Sequence, residues 1–213
     1  MKKSTMEILN ELETRYPVLL EQKENILNAY FIMEEAYKNN KKLLLCGNGG
    51  SAADSEHVVG ELLKSFKKYR RIKDEIYNNL NGFGENGELL KNTLEGSLRA
   101  ISLTSHLSLS TAFSNDKELS VVFAQQLYGL ADSGDVLVAF STSGNSKNCV
   151  LAATLARVMG VKVISLTGKK DSKLSKISDV VINVPELETY KIQELHLPIY
   201  HALCAMLEEE FFD

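Results

Sequence analysis

At Leu43-Leu44-Leu45-Cys46 an unbroken apolar run stops at Gly47-Asn48-Gly49-Gly50-Ser51, and helical spacing follows over residues 51–69. The pattern returns at Val136-Leu137-Val138-Ala139-Phe140, which gives way to Ser141-Thr142-Ser143-Gly144-Asn145-Ser146 and a helix predicted over 146–159. Two further strands predicted at 161–166 and 180–184 continue the alternation, and a long helix is predicted over 190–212. Runs with no polar face suit strands covered on both sides. Parallel strands need crossover connections, and right-handed crossovers place helices on both faces of the sheet. The expected fold class is therefore α/β, a three-layer αβα sandwich with a mainly parallel sheet. Ligands in such sheets bind beyond the carboxyl ends of the strands, which is where the glycine-rich and serine-rich turns fall.

The remaining segments fit around that core. Residues 4–39 have helical spacing, with Pro17 dividing two helices. A short strand is predicted at 99–103 and a helix at 118–130, with a Ser/Thr-rich loop between them. Residues 72–96, polar and rich in Asn and Gly, interrupt the rhythm and read as a surface insertion of one helix and a flexible turn. The basic run Lys64-Ser65-Phe66-Lys67-Lys68-Tyr69-Arg70-Arg71 before it reads as a solvated helix end. With 213 residues, 44% of them hydrophobic, residues 1–213 suit one domain, carrying an N-terminal helical segment at 1–40. A net charge of -4 gives no global attraction to nucleic acid or an anionic membrane. The first residues turn acidic before an apolar signal region forms, and no apolar stretch nears the roughly 20 residues of a membrane span. Cys46, Cys149 and Cys204 are scattered and odd in number, unlike a disulfide framework. A cytoplasmic protein with a small-molecule partner is expected.

The two turns suggest what that partner carries. Gly47-x-Gly49-x-x-Ala52 formally matches a dinucleotide fingerprint, but the second strand ending in an acid about 20 residues later is missing. No Walker A string occurs either. In the second turn, Ser141, Thr142, Ser143 and Ser146 all carry hydroxyls, and Ser146 is placed to cap the following helix. One hydroxyl suffices for a cap, so the excess points to an anion held at the helix start without lysine. Asn48, Gly49, Gly50 and Ser51 would then hold the rest of a phosphorylated ligand.

His57 and Glu61 lie one helical turn apart, about 6 Å along a shared face. That spacing serves two ligands of one metal, or a base and its orienting partner, although solvated helices carry such pairs too. The last helix holds Gln193, Glu194, His196 and His201 amid apolar residues, where each polar group needs a partner. Gln193 and His201 are eight residues apart, about 12 Å along a straight helix, so a shared site suggests completion across a subunit boundary. His106 lies near the expected site and reads as a surface histidine.

Taken together, GNGGSAADSEHVVGE, SNDKE, VLVAFSTSGNSKN, VISLTGK and IQELHLPIYH resemble the sugar isomerase (SIS) domain family, and within it the bacterial phosphoheptose isomerases. The resemblance covers roughly residues 40–210 and implies a flavodoxin-like sandwich assembled as a homotetramer. It implies that Ser141, Thr142, Ser143 and Ser146 hold phosphate, and that Asn48, Gly49, Gly50, Asn115 and Asp116 hold sugar. His57, Glu61, Gln193 and His201 become the metal or catalytic set, with zinc as the implied ion. The implied reaction turns sedoheptulose 7-phosphate into glycero-manno-heptose 7-phosphate through an enediol. Glu61 would be the base and His201 the opposing acid/base, or both would be metal ligands. The insertion at 72–96 departs from the plainest members of the family. A non-catalytic SIS scaffold or sensor, such as a replication-initiator-binding protein, is the alternative, and the presence of Glu61 and His201 argues for the enzyme.

Overall fold

The computed structural model describes residues 1–212. Two helices, α1 (Lys3–Arg15) and α2 (Lys23–Lys38), are separated by a 3-10 turn beginning at Pro17, as the sequence predicts. Strand β1 (Leu43–Cys46) leads into α3 (Gly50–Leu63), and the inserted segment forms α4 (Asp74–Asn79) and α5 (Gly84–Thr93). Strand β2 (Ala100–Ser102) follows, then α6 (Leu107–Asp116) and α7 (Val122–Leu130). The remainder is β3 (Val136–Phe140), α8 (Lys147–Val158), β4 (Lys162–Thr167), β5 (Val180–Asn183) and α9 (Thr189–Phe211).

All five strands are parallel, in the order β2-β1-β3-β4-β5. Their side chains divide the core between two layers, since successive residues point to opposite faces. Leu43, Leu45, Val136, Val138, Phe140, Ile164 and Leu166 pack with α1, α2 and α9. Leu44, Cys46, Leu137, Ala139 and Val163 pack with α7 and α8. Each fully buried Leu or Val contributes about 1.5–3 kcal/mol relative to exposure, and the buried polar strand residues Ser102, Ser165 and Thr167 are each hydrogen-bonded. The order is that of a flavodoxin-like sheet. The chain winds from β1 to β2 on one side, then returns past β1 to β3. Residues Leu43 to Cys46 pair with Val136 to Ala139, so the two turns leave adjacent strands together at the crevice where the winding direction changes.

Three local expectations need correction. The helix predicted over 51–69 ends at Leu63, and Lys64 is extended. Arg70 causes this stop: its guanidinium donates to the carbonyls of Leu62 (2.8 Å) and Glu61 (2.8 Å), satisfying groups that every helix end leaves open. The basic run is thus not a solvated helix end throughout, because Arg70 is fully buried. Secondly, the stretch before residue 118 contains a helix, α6, that sequence spacing does not reveal. It buries no residue and so lacks the apolar stripe on which helix recognition depends. Thirdly, the insertion holds two short helices and a 3-10 turn rather than one helix. Only Gly87 and Lys91 within those helices are buried, consistent with a surface segment. Helix α9 runs unbroken through Pro198, because dense burial on both sides of the proline outweighs one lost hydrogen bond. Among the described residues, no helix is long and apolar enough to cross a membrane.

Candidate active site

The turn after β1 is shaped by backbone demands. Gly49 has φ 57° and ψ -123°, a conformation that side-chain-bearing residues rarely adopt. Gly50 admits the neighbouring helix: a Cβ there would stand 2.7 Å from Gln193 Nε2. Gln193 reaches Ser51 Oγ at 3.5 Å, and Ser51 is buried. Asn48 exchanges a pair of amide hydrogen bonds with Asn148, at 3.0 and 2.8 Å. That pair ties the glycine turn to the first turn of α8 and therefore to the serine turn.

In the serine turn, Ser141 is buried and its Oγ donates to Ser146 Oγ at 3.0 Å. Ser146 occupies the N-cap position, yet its side chain makes no cap hydrogen bond. The expected capping role is therefore wrong in its chemistry: the hydroxyl is engaged by Ser141. Of the first-turn donors, Cys149 N–H is taken by Asn148 Oδ1. A helix start of this kind carries the positive end of the dipole and open N–H donors, as an anion site requires. Gly144, at φ 63°, packs so closely on Ser172 that a Cβ would lie 2.2 Å from its Oγ. Thr142 and Ser143 line a cavity of about 200 Å³ together with Lys169 and Lys170.

On the next turns of α3, His57 Nε2 lies 3.2 Å from Glu61 Oε1, and Lys64 Nζ lies 3.3 Å from Glu61 Oε2. The Glu61 side chain is 12% exposed, whereas that of His57 is 44% exposed, so the carboxylate is sheltered behind an imidazole that reaches the surface. Helix α9 delivers His201 edge-on to His57, with ring centroids 4.9 Å apart. Burial and the neighbouring His57 lower the His201 pKa, with Glu61 opposing them, so the neutral imidazole is favoured. His201 also borders a cavity of about 310 Å³ between α1 and α9 that includes Arg15, Tyr16 and Phe66. His57 Nδ1 meets the Tyr200 hydroxyl at 3.0 Å, and that hydroxyl donates to Asp54 Oδ1 at 3.2 Å. Burial raises the Asp54 pKa, against the opposing hydrogen bond from Tyr200 and the charge of His57.

The donors suit zinc in type and partly in placement. Among the described residues, no three His, Cys, Asp or Glu side chains close on a common point. Two imidazoles and a carboxylate are nonetheless ordinary zinc donors, and the 3.2 Å separation of His57 Nε2 and Glu61 Oε1 is close to a ligand–ligand edge of about 3.3 Å for tetrahedral bonds of about 2.05 Å. His201 Nε2 is buried without a hydrogen-bond partner, an arrangement that costs stability unless something fills it. Gln193 stands apart from this trio, against Gly50 and Ser51.

The sequence-predicted residues thus form three groups. Asn48, Gly49, Gly50, Ser51 and Gln193 meet at the glycine turn. Ser141, Thr142, Ser143 and Ser146 form the serine turn, joined to the first group through Asn148. His57, Glu61 and His201 meet two to three turns further along α3. Asn115 and Asp116 pair with each other at the exposed end of α6; no hydrogen bond among the described residues links them to the rest. His106 is half-buried and bonded to Gln126. His196 is a core residue: burial pushes its pKa down to about 4, so it stays neutral against Thr167. Sequence reasoning overlooks Asn148, Asp54 and Tyr200. Asp54 precedes His57 by three residues on the same helix, which is a readable signal, but nothing in the spacing brings Tyr200 there.

Comparison with known proteins identifies the family and the fold. SIS domain sequence models match residues 100–208 and 10–95. A phosphoheptose isomerase from a Nitratiruptor species is 40% identical over 205 residues, covering 96% of each chain. The chain belongs to the SIS domain family, among its phosphoheptose isomerases. Its backbone is similar to phosphoheptose isomerase GmhA from Neisseria gonorrhoeae, with a TM-score of 0.72 at 32% identity, covering 97% of this chain and 94% of that one. The phosphoheptose isomerase from Francisella tularensis gives 0.71 at 27% identity with the same coverage. These members share the parallel five-stranded sandwich from end to end.

Proposed function

We propose that the chain interconverts sedoheptulose 7-phosphate and D-glycero-D-manno-heptose 7-phosphate. The observation that carries this reading is the sheltered Glu61 carboxylate, 3.2 Å from His57, whose ring in turn meets that of His201, on the helix that the glycine turn begins. Ser141, Thr142, Ser143 and Ser146 hold the phosphate, and the start of α8 adds backbone donors. Asn48, Gly49, Gly50 and Ser51, with Gln193, hold the sugar, and Asn115 and Asp116 bind its hydroxyls.

In the open-chain ketose, Glu61 takes a proton from C1 and passes it to the C2 carbonyl oxygen, giving the enediol. The neutral His201 imidazole then takes the C1 hydroxyl proton and returns it to C2, leaving an aldehyde and both side chains as they began. No atom is gained or lost. Positioned acid–base groups of this kind contribute about 10²–10⁴-fold in rate. His57, Glu61, Gln193 and His201 would hold a zinc ion, which when bound would polarise the carbonyl as a Lewis acid. A metal-bound Glu61 is a weaker base, so its two roles compete.

The reading includes a cytoplasmic homotetramer built from single-domain chains, with sites at subunit boundaries. The surface reach of His57 supports it, as do the separate cavities at the phosphate and imidazole ends. A fully active monomer would remove that part. Incubation with sedoheptulose 7-phosphate in deuterated water, with and without a chelator, tests the chemistry. Deuterium at carbon is expected, and its absence in both arms overturns the isomerase reading; retention with chelator assigns the proton transfer to protein side chains alone.

A further inference from the structure

A tyrosine hydroxyl has one proton to give. In this protein the Tyr200 proton goes to Asp54 Oδ1 at 3.2 Å, and the same oxygen lies 3.0 Å from His57 Nδ1. Having spent its proton, the hydroxyl meets His57 as an acceptor, so Nδ1 must carry hydrogen. The ring's other nitrogen, Nε2, is then the one free to ligate, and it faces Glu61 Oε1 at 3.2 Å. A lone pair set against a carboxylate oxygen at that distance is repulsive, and either a second ring proton or a metal cation between the two atoms removes the repulsion; zinc-loaded protein distinguishes them.

Tyr200 is well fixed for this task. It is 2% exposed, packs edge-on to Phe140 and His201, and sits one residue before His201 on α9. Asp54 lies one turn before His57 on α3, so the hydroxyl is braced by the helix whose imidazole it orients. We propose that Tyr200 is a positioning residue: held by Asp54, it fixes the His57 tautomer and presents Nε2 to a divalent cation shared with Glu61. This rests on the zinc-binding part of the proposed function. Hydrogen bonds of this outer kind orient ligating histidines, and their loss typically costs about 10–100-fold in metal affinity.

The test uses the full-length protein with histidine-selective 15N labelling, which yields only four histidine residues, and zinc ion as the probe. Long-range 1H–15N correlation of the zinc-loaded protein is expected to place hydrogen on His57 Nδ1 and metal on Nε2. Tyr200→Phe keeps the ring packing and is expected to weaken zinc binding, read by competition with a chromophoric chelator, by about 10–100-fold, and to speed exchange of the Nδ1 proton. Asp54→Asn retains an acceptor for Tyr200 and is expected to fall between wild type and Tyr200→Phe, which guards against misfolding of either variant. Metal on Nδ1, no zinc binding by wild type, or unchanged zinc affinity and proton exchange in Tyr200→Phe overturns the proposal. Failure of isomerase activity leaves these readouts intact, so the two readings fail separately.

Discussion

Arg70 and Glu208 form an ion pair sealed from solvent, with Nε and Oε1 2.7 Å apart and side chains 0% and 1% exposed. Arg70 spends its other nitrogens on the Glu61 and Leu62 carbonyls. Glu208 also accepts from the backbone N–H groups of Phe66, Lys67 and Lys68. The pair therefore joins the end of the Glu61 helix, the following loop and the helix that carries His201. Removing one partner strands a buried charge, and Arg70→Met is expected to cost about 3–5 kcal/mol in urea unfolding. A loss below about 1 kcal/mol would show that the pair is dispensable.

Acid should reach this junction through Glu208. Burial alone would raise its pKa, but the Phe66 and Lys67 amides and the Arg70 guanidinium outweigh that and hold it below the ordinary 4.5. Its unfolded form binds a proton at higher pH than its folded form, so its stabilisation is complete above about 4.5 and drains away as pH falls through the depressed value. Urea midpoints measured from pH 6 to pH 3 should fall less steeply in Glu208→Gln, which starts from a lower stability at pH 6. Parallel curves for the two proteins would refute the assignment.

Replacing the base should separate chemistry from binding. Glu61→Gln preserves size but cannot accept a proton from carbon, so kcat should drop by at least about 10²-fold. Calorimetric binding of sedoheptulose 7-phosphate should remain within a few-fold of wild type. An unchanged kcat would remove Glu61 from the role of base.

The phosphate end should respond differently. Ser143 is exposed and its Oγ accepts only from Asn145 N–H, at 3.2 Å, so Ser143→Ala should leave stability within about 0.5 kcal/mol and chiefly raise KM. Steady-state kinetics with sedoheptulose 7-phosphate decide the matter. A KM equal to wild type would place the phosphate elsewhere.

Gly50 offers a steric probe of the glycine turn. A Cβ would stand 2.7 Å from Gln193 Nε2, the far end of a flexible side chain. Gly50→Ala should therefore fold, with a stability change of about 1 kcal/mol or less, while displacing Gln193 from Ser51. The expected result is weaker zinc and substrate binding at nearly wild-type melting temperature. Unaltered binding would mean that Gln193 serves neither ligand.

Sequence alone determined the αβα layering, because the unbroken apolar runs at 43–46 and 136–140 can be buried only between two helical layers. It also located the glycine and serine turns, which are proposed to hold the ligand, since Gly47-Asn48-Gly49-Gly50 after an apolar run and surplus hydroxyls at a helix start stand out locally. The i,i+4 spacing of His57 and Glu61 was equally plain, being a local property of one helix. Tertiary structure decided the rest. Arg70 reads as one more surface cation until Glu208, 138 residues away, meets it in the core. Helix α6 has no apolar stripe to announce it. Tyr200 reaches His57 only because α9 packs on α3, and Asn48 reaches Asn148 only because β1 and β3 are neighbours. Local pattern encodes which surfaces must be buried, whereas the pairing of polar groups far apart in sequence is fixed only when those surfaces meet.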